Sequence, residues 1–203
     1  NLSSLNIQNG NNSIITTFNA TNNPSLTCIQ VSDVTYMNTN LGGLSNKDAG
    51  ATYSVVCPLC IVNIPDVSFK TALLAIPGLD ANSDSEVQCA EADAFIGVLN
   101  LDNLGIADLT GIEAFVNVSS LFCNNNILSS LNVSANTALT TLSCNINLLS
   151  SLNVSANTAL TYLSCSDNSL LNIDVSNNIS LTYLDCRNAG LNNINVTTNL
   201  ALE

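Results

Sequence analysis

Cysteine is the most reactive side chain in this 203-residue sequence, and its eight copies admit three kinds of chemistry. Cys57-Pro-Leu-Cys60 is a C-x-x-C pair, which can supply half of a zinc site or cycle as a redox dithiol. A zinc site needs a second pair at a recognised spacing, and a redox dithiol needs a βαβ setting; the sequence offers neither. Cys123, Cys144, Cys165 and Cys186 instead return at one constant step, as small apolar core fillers would. The chain has no His, so the commonest general base and the commonest catalytic metal ligand are missing. With no nucleophile–base pair, glycine-rich phosphate loop or carboxylate dyad, the reading is a protein that is not an enzyme. Asp and Glu number 15 against three basic residues, Lys47, Lys70 and Arg187, for a formal charge of -12. That balance cannot neutralise a phosphate backbone, which excludes nucleic acid, and it disfavours anionic membrane surfaces. No apolar run approaches the roughly 20 residues of a bilayer span, so no membrane insertion is expected in this span.

The cysteines belong to a larger ladder. Segments 121–141, 142–162, 163–183 and 184–203 each open with L-x-C. One column holds Leu131, Leu152, Ile173 and Ile194, another Val133, Val154, Val175 and Val196, a third Leu139, Leu160, Leu181 and Leu202. Fixed apolar columns at this period require a solenoid. Leu139, Leu142, Cys144, Asn147, Leu149 and Leu152 resemble, in order, the leucine-rich-repeat pattern L-x-x-L-x-L-x-x-N-x-L, with Cys in the third apolar slot. The resemblance implies an α/β solenoid, a leucine-rich-repeat right-handed superhelix with short parallel strands on one side. Asn126, Asn147 and Asn168 form the inward Asn column that bonds turn backbone, and Ala189 breaks it. The expected divisions are 1–57, the end of an upstream array with its C-terminal cap; 58–98, a small helical cap; and 99–203, the second array. Leu2, Leu5 and Ile7, then Ile15, Phe18 and Ala20, then Leu26, Ile29 and Val31 read as coils of the first array. The sequence thus reads as a piece of a longer protein.

Residues 26–57 look like the C-terminal cap of similar bacterial repeat proteins, which implies a Cys28–Cys57 disulfide. It would close a loop of about 30 residues and contribute on the order of 3–4 kcal/mol. Cys60 and Cys89 are expected to pair across the helical cap, leaving the four repeat cysteines reduced. In that cap, Asp66 should start a short amphipathic helix carrying Phe69, Leu73 and Leu74, and Pro77-Gly78 should stop it. The stretch Asp80–Glu91 resembles an EF-hand loop. Asp80, Asn82 and Asp84 fall at its first, third and fifth positions, Glu86 at the seventh and Glu91 at the bidentate twelfth. The resemblance implies a structural calcium ion with a Kd of roughly 0.1–1 mM. Ser85 stands where that pattern has Gly, and the competing reading is an acidic turn in which Asp80 or Asp84 caps the next helix.

Recognition by solenoids uses the concave sheet. Phe122, Ser143, Ser164 and Asp185 are its expected outward column, flanked by Tyr162 and Tyr183 on one side and Arg187 on the other. Phe122, Tyr162, Tyr183, Asp185 and Arg187 therefore form the candidate ligand surface, for sugar stacking or a peptide anchor; the alternative is rings that only cover neighbouring strands. The resemblance points to a secreted or bacterial cell-surface adhesive module that binds a protein or glycan on a surface. Alternatives are a stalk or filament subunit stacking on itself head to tail, and a non-catalytic domain of a secreted enzyme.

Overall fold

A computed structural model describes residues 4–8, 10, 15–41, 47–54 and 60–202. The chain divides into two compact units, Asn1–Cys60 and Ile61–Glu203. In the first, strands β1 (Ser4–Asn6), β2 (Cys28–Gln30) and β3 (Thr52–Ser54) form a parallel sheet in that order. Leu5, Ile29 and Tyr53 stand in register, evenly spaced along the chain. Ile29 and Tyr53 are buried with Leu26, Val31, Met37 and Ala51. The segment expected to cap this array thus supplies two of its strands. Cys-Ile-Gln and Thr-Tyr-Ser each point one apolar residue inward at the same register, which extends a sheet rather than closing it. Leu2 and Cys57 lie outside the described residues.

The second unit is the expected solenoid. Strands β4 (Gly97–Asn100), β5 (Val118–Phe122), β6 (Thr141–Ser143), β7 (Tyr162–Ser164) and β8 (Tyr183–Asp185) run parallel in sequence order. Leu99, Leu121, Leu142, Leu163 and Leu184 share one register, and a bulge at Gly97/Val98 absorbs the odd residue of the first coil. Each coil sends a Leu inward from the strand, then a Cys two residues on, as the period-2 geometry of a strand dictates. Cys123, Cys144 and Cys165 are fully buried, as are Val133, Val154, Val175, Leu139, Leu160 and Leu181. Each such Leu contributes on the order of 1.5–3 kcal/mol. The last coil is looser: Leu184, Cys186, Ile194 and Leu202 are only partly buried and Val196 is exposed.

Two files of buried asparagine satisfy the turns that leucine cannot. Asn126, Asn147 and Asn168 behave as expected. Asn147 Oδ1 accepts from Leu128 N–H at 3.0 Å, while Nδ2 donates to the carbonyls of Cys123 and Cys144 at 2.9 and 3.1 Å. Asn136, Asn157, Asn178 and Asn199 form a second file; Asn157 Nδ2, for example, donates to the Val133 and Asn136 carbonyls, both at 2.9 Å. This second file lies outside the sequence expectations, although N-T-A-L-T recurs in step with the cysteines in the first two of its coils.

At the start of this unit, helix α2 (Val67–Leu74; α1 is the short turn Val34–Tyr36) forms where the Asp66 cap was expected. Asp66 accepts from Phe69 N–H at 3.0 Å and, with its other oxygen, from Ala107 and Asp108 N–H at 2.8 and 3.2 Å, tying the cap to the first coil. Partial burial alone would raise its pKa, but these backbone donors outweigh it and hold the carboxyl below its ordinary value. Phe69 and Leu73, one turn apart, are the buried face. Helix α3 (Cys89–Ala94) is capped by Gln88, with Glu91 accepting from Gln88 N–H at 2.9 Å, so neither Asp80 nor Asp84 caps it.

Candidate functional site

The outer face of the five-stranded sheet carries the candidate ligand residues, and the structure gathers four of the five. Tyr162 and Tyr183 are register partners on β7 and β8, and their rings stack at 4.4 Å between centroids and 3° between planes. Beside them Arg187 grips Asp185 through both guanidinium edges, Nε to Oδ1 at 2.9 Å and a terminal nitrogen to Oδ2 at 2.8 Å. The Asp185 side chain is only 8% exposed while that of Arg187 is 82% exposed. The Arg187 hydrogen bond chiefly holds the Asp185 carboxyl below its ordinary pKa, and Asp185 in turn raises that of Arg187. The pair is neutral, with free donors directed to solvent. Phe122, half-buried on β5, is separated from Tyr162 by the whole of β6 and does not join the cluster.

The column expected to point freely outward is covered instead. Ser143, Ser164 and Asp185 are buried because the next column folds over them. Asn124 Oδ1 accepts from Ser143 Oγ and Asn145 N–H, both at 2.8 Å. Asn145 Oδ1 repeats this one coil on, accepting from Ser164 Oγ and Ser166 N–H at 2.8 Å. Asp102 starts the chain by accepting from the Asn124 amide at 2.9 Å. The stacked tyrosine pair and the exposed Arg187 stand beside this covered column.

The cysteine file shows no sign of activation. Cys123 and Cys144 sulfurs donate weakly to the Ser143 and Ser164 carbonyls at 3.5 and 3.6 Å. Burial, with a smaller push from Asp102, raises the Cys123 thiol to about 12. Burial, then Cys186 and Asp185, does the same for Cys165, also to about 12. All four thiols are free, and Cys186 is the only one not buried. At pH 8 in native buffer iodoacetamide is expected to modify Cys186 and spare the other three, with all four labelled in urea. Equal native labelling of Cys144 on mass-spectrometric mapping would contradict this packing. Cys28, Cys60 and Cys89 are disulfide-bonded.

The turn at Asp80–Glu91 closes on its own hydrogen bonds. Asp80 accepts from Asp84 and Ser85 N–H at 3.1 and 3.0 Å, and Asp84 from Glu86 N–H at 2.9 Å and from Gln88 Nε2. Glu91 reaches back to Ala81 N–H at 2.7 Å, and Glu86 pairs with Lys70 at 2.7 Å. Ser85 takes up φ +65°, the left-handed conformation for which the EF-hand pattern uses Gly. The Asn82 amide is spent on Asp84 at 2.9 Å. Among the described residues no three acidic or thiol side chains are gathered around one point that could hold a metal ion. Also among them, no helix is long and apolar enough to cross a membrane.

No protein-family model matches the chain, and no curated protein does. Solved structures match. The functional domain of InlJ from Listeria monocytogenes, a structure that includes a cysteine ladder, is 32% identical with a TM-score of 0.59, over 71% of this chain and 33% of that one. The internalin InlF from the same species is 18% identical with a TM-score of 0.53, over 73% of this chain and 52% of that one. The chain thus spans about a third and about half of their lengths.

Proposed function

We propose that this chain, a leucine-rich-repeat solenoid similar to the bacterial internalins, is an extracellular, non-catalytic module that binds a protein or glycan at the β7–β8 end of its sheet. The observation that carries the reading is the Tyr162–Tyr183 stack. Only 4% of the chain is aromatic, yet two rings meet on the outer face beside an exposed guanidinium. Tyr and Arg dominate binding hot spots because they bring large rigid area and several donors at small entropic cost. Because Asp185 neutralises Arg187, the patch selects by stacking and hydrogen bonding rather than by net charge. A Tyr162→Ala, Tyr183→Ala double variant is expected to weaken capture on arrays of immobilised glycans and surface proteins at least tenfold. Unchanged capture by a folded double variant would refute the assignment.

We further propose that the Asp80–Glu91 turn takes up Ca²⁺ weakly, as a structural ion. Its carboxylates lie along one turn, and the Asp80 and Glu91 oxygens, each accepting a single N–H, keep a second lone pair for the ion, whereas Asp84 would have to release Gln88 to join them. At ten times Kd, one bound ion stabilises by about 1.4 kcal/mol. Melting in 10 mM CaCl₂ against EDTA should therefore show a rise of a few degrees, and coincident melts would dispose of the metal.

A further inference from the structure

The five left-handed positions that turn each coil after its strand are Asn103, Asn125, Ile146, Asp167 and Asn188, with φ between 51° and 61°. Asn and Asp tolerate this conformation; a β-branched residue there is a genuine outlier. Ile146 is also 52% exposed, so no core packing holds it there. Strain kept without a packing return directs attention to the surface around it.

That surface is apolar. Ile127 and Leu148 occupy equivalent places on adjacent coils and are exposed, and Asn126 N–H donates to the Ile146 carbonyl at 3.3 Å, placing Ile146 beside Ile127. Ile127 N–H donates in turn to Ile106 at 3.0 Å, next to exposed Leu104. Leu104 also lines a groove of about 400 Å³ along α2, with Val67, Thr71 and Ala75. Those three recur at every fourth position, which is one helix face, and Val67 is 78% exposed. A strip of apolar surface thus runs from the cap helix across Leu104 to the third coil. Its rim is acidic: exposed Asp108, whose N–H donates to Asp66 at the start of α2, and exposed Asp167, which holds the place of Ile146 one coil on. The two cations described in this unit are both engaged, Lys70 by Glu86 and Arg187 by Asp185.

We infer that this strip is a docking surface for a cationic amphipathic helix of a partner protein. An unpartnered helix face beside an apolar ridge fits a helix laid into the groove, and a rim of uncompensated carboxylates within a chain of charge -12 selects Lys and Arg on its flanks. This surface is separate from the tyrosine patch and does not rest on it. The probe is a fluorescent 18-residue Leu/Lys peptide with Leu on one helical face, titrated against the whole chain. It should bind more weakly in 0.5 M salt, and a Leu/Glu version should bind at least tenfold less well. Leu104→Ser with Ile146→Asn should weaken Leu/Lys binding tenfold or more. Ile146→Asn alone should raise Tm by a few degrees, so lost binding is not lost folding. The Tyr162→Ala, Tyr183→Ala variant should bind the peptide normally. Equal binding of both peptides, full binding by the Leu104/Ile146 variant, or capture of zwitterionic vesicles in place of peptide would overturn the inference.

Discussion

Asn147→Ala is expected to lower the unfolding free energy by about 2–4 kcal/mol, comparable to truncating a core leucine. The side chain is buried between two coils and serves both. Removing it strips Leu128 N–H of its acceptor and takes one donor from each of the Cys123, Cys144 and Asn145 carbonyls, which keep Asn126 Nδ2, Asn168 Nδ2 and Asn125 N–H respectively. A buried backbone group left unpaired costs roughly 1–3 kcal/mol, the flanking Leu128, Leu149, Cys123 and Cys144 are fully buried, and the loss of the three further bonds and of the side chain's packing adds to it. In a stacked array stability is close to a sum of coil and interface contributions, so loosening two adjacent coils should also broaden the transition. Urea unfolding followed by circular dichroism measures it. Thr158→Ala, exposed on the loop of the same coil, is the surface control, expected within about 0.5 kcal/mol of the parent. A loss below about 1 kcal/mol for Asn147→Ala would mean that water fills the file and that the amide bonds are replaceable.

The inward columns were legible because burial is a property of register. A Leu, Cys or Val that returns once per coil to the same strand phase has one place to go. The outer face was not, because its burial depends on which way the side chains just past the strand fold. Asn124 and Asn145 bend back over Ser143 and Ser164, and nothing in their spacing distinguishes that from pointing to solvent. The second asparagine file was hidden for a related reason. Asn136 and Asn132 carry the same letter one helical turn's worth of chain apart, but Asn132 is exposed and Asn136 buried, a difference set by the loop path alone. In the first unit the even step linking Leu5, Ile29 and Tyr53 is masked by two disulfide-competent cysteines, which suggest a cap. The Asp66 helix was readable, since a cap residue and an i, i+4 apolar pair are local signals. The turn at 80–91 showed its acids in sequence; that backbone N–H groups would engage Asp80, Asp84 and Glu91 was a matter of three dimensions.

Gly111→Ala should cost about 3–4 kcal/mol, through the joint between the cap and the first coil. Gly111 has φ +106°, a conformation that L side chains resist at roughly 1–2 kcal/mol. It also lacks room. A Cβ there would stand 2.8 Å from Ile64 Cγ1, 2.9 Å from the Asn63 carbonyl and 3.2 Å from Val62 Cγ1. Ile64 can rotate aside, but the Asn63 carbonyl is backbone, and Val62 is held to Val87 by an N–H···O bond of 2.8 Å. Relief would have to come from shifting Ile112 and Phe115, both buried just after the glycine, and such overpacking costs about 1–3 kcal/mol more. Gly105 separates the two contributions. Its φ is +66° and nothing lies within 4 Å of its would-be Cβ, so Gly105→Ala should show the backbone cost alone, about 1 kcal/mol. If equilibrium unfolding gave the two variants equal losses, the segment 62–64 would not be packed against the first coil as described. A gap of about 2 kcal/mol, the middle of the overpacking range, would instead assign the difference to that close approach.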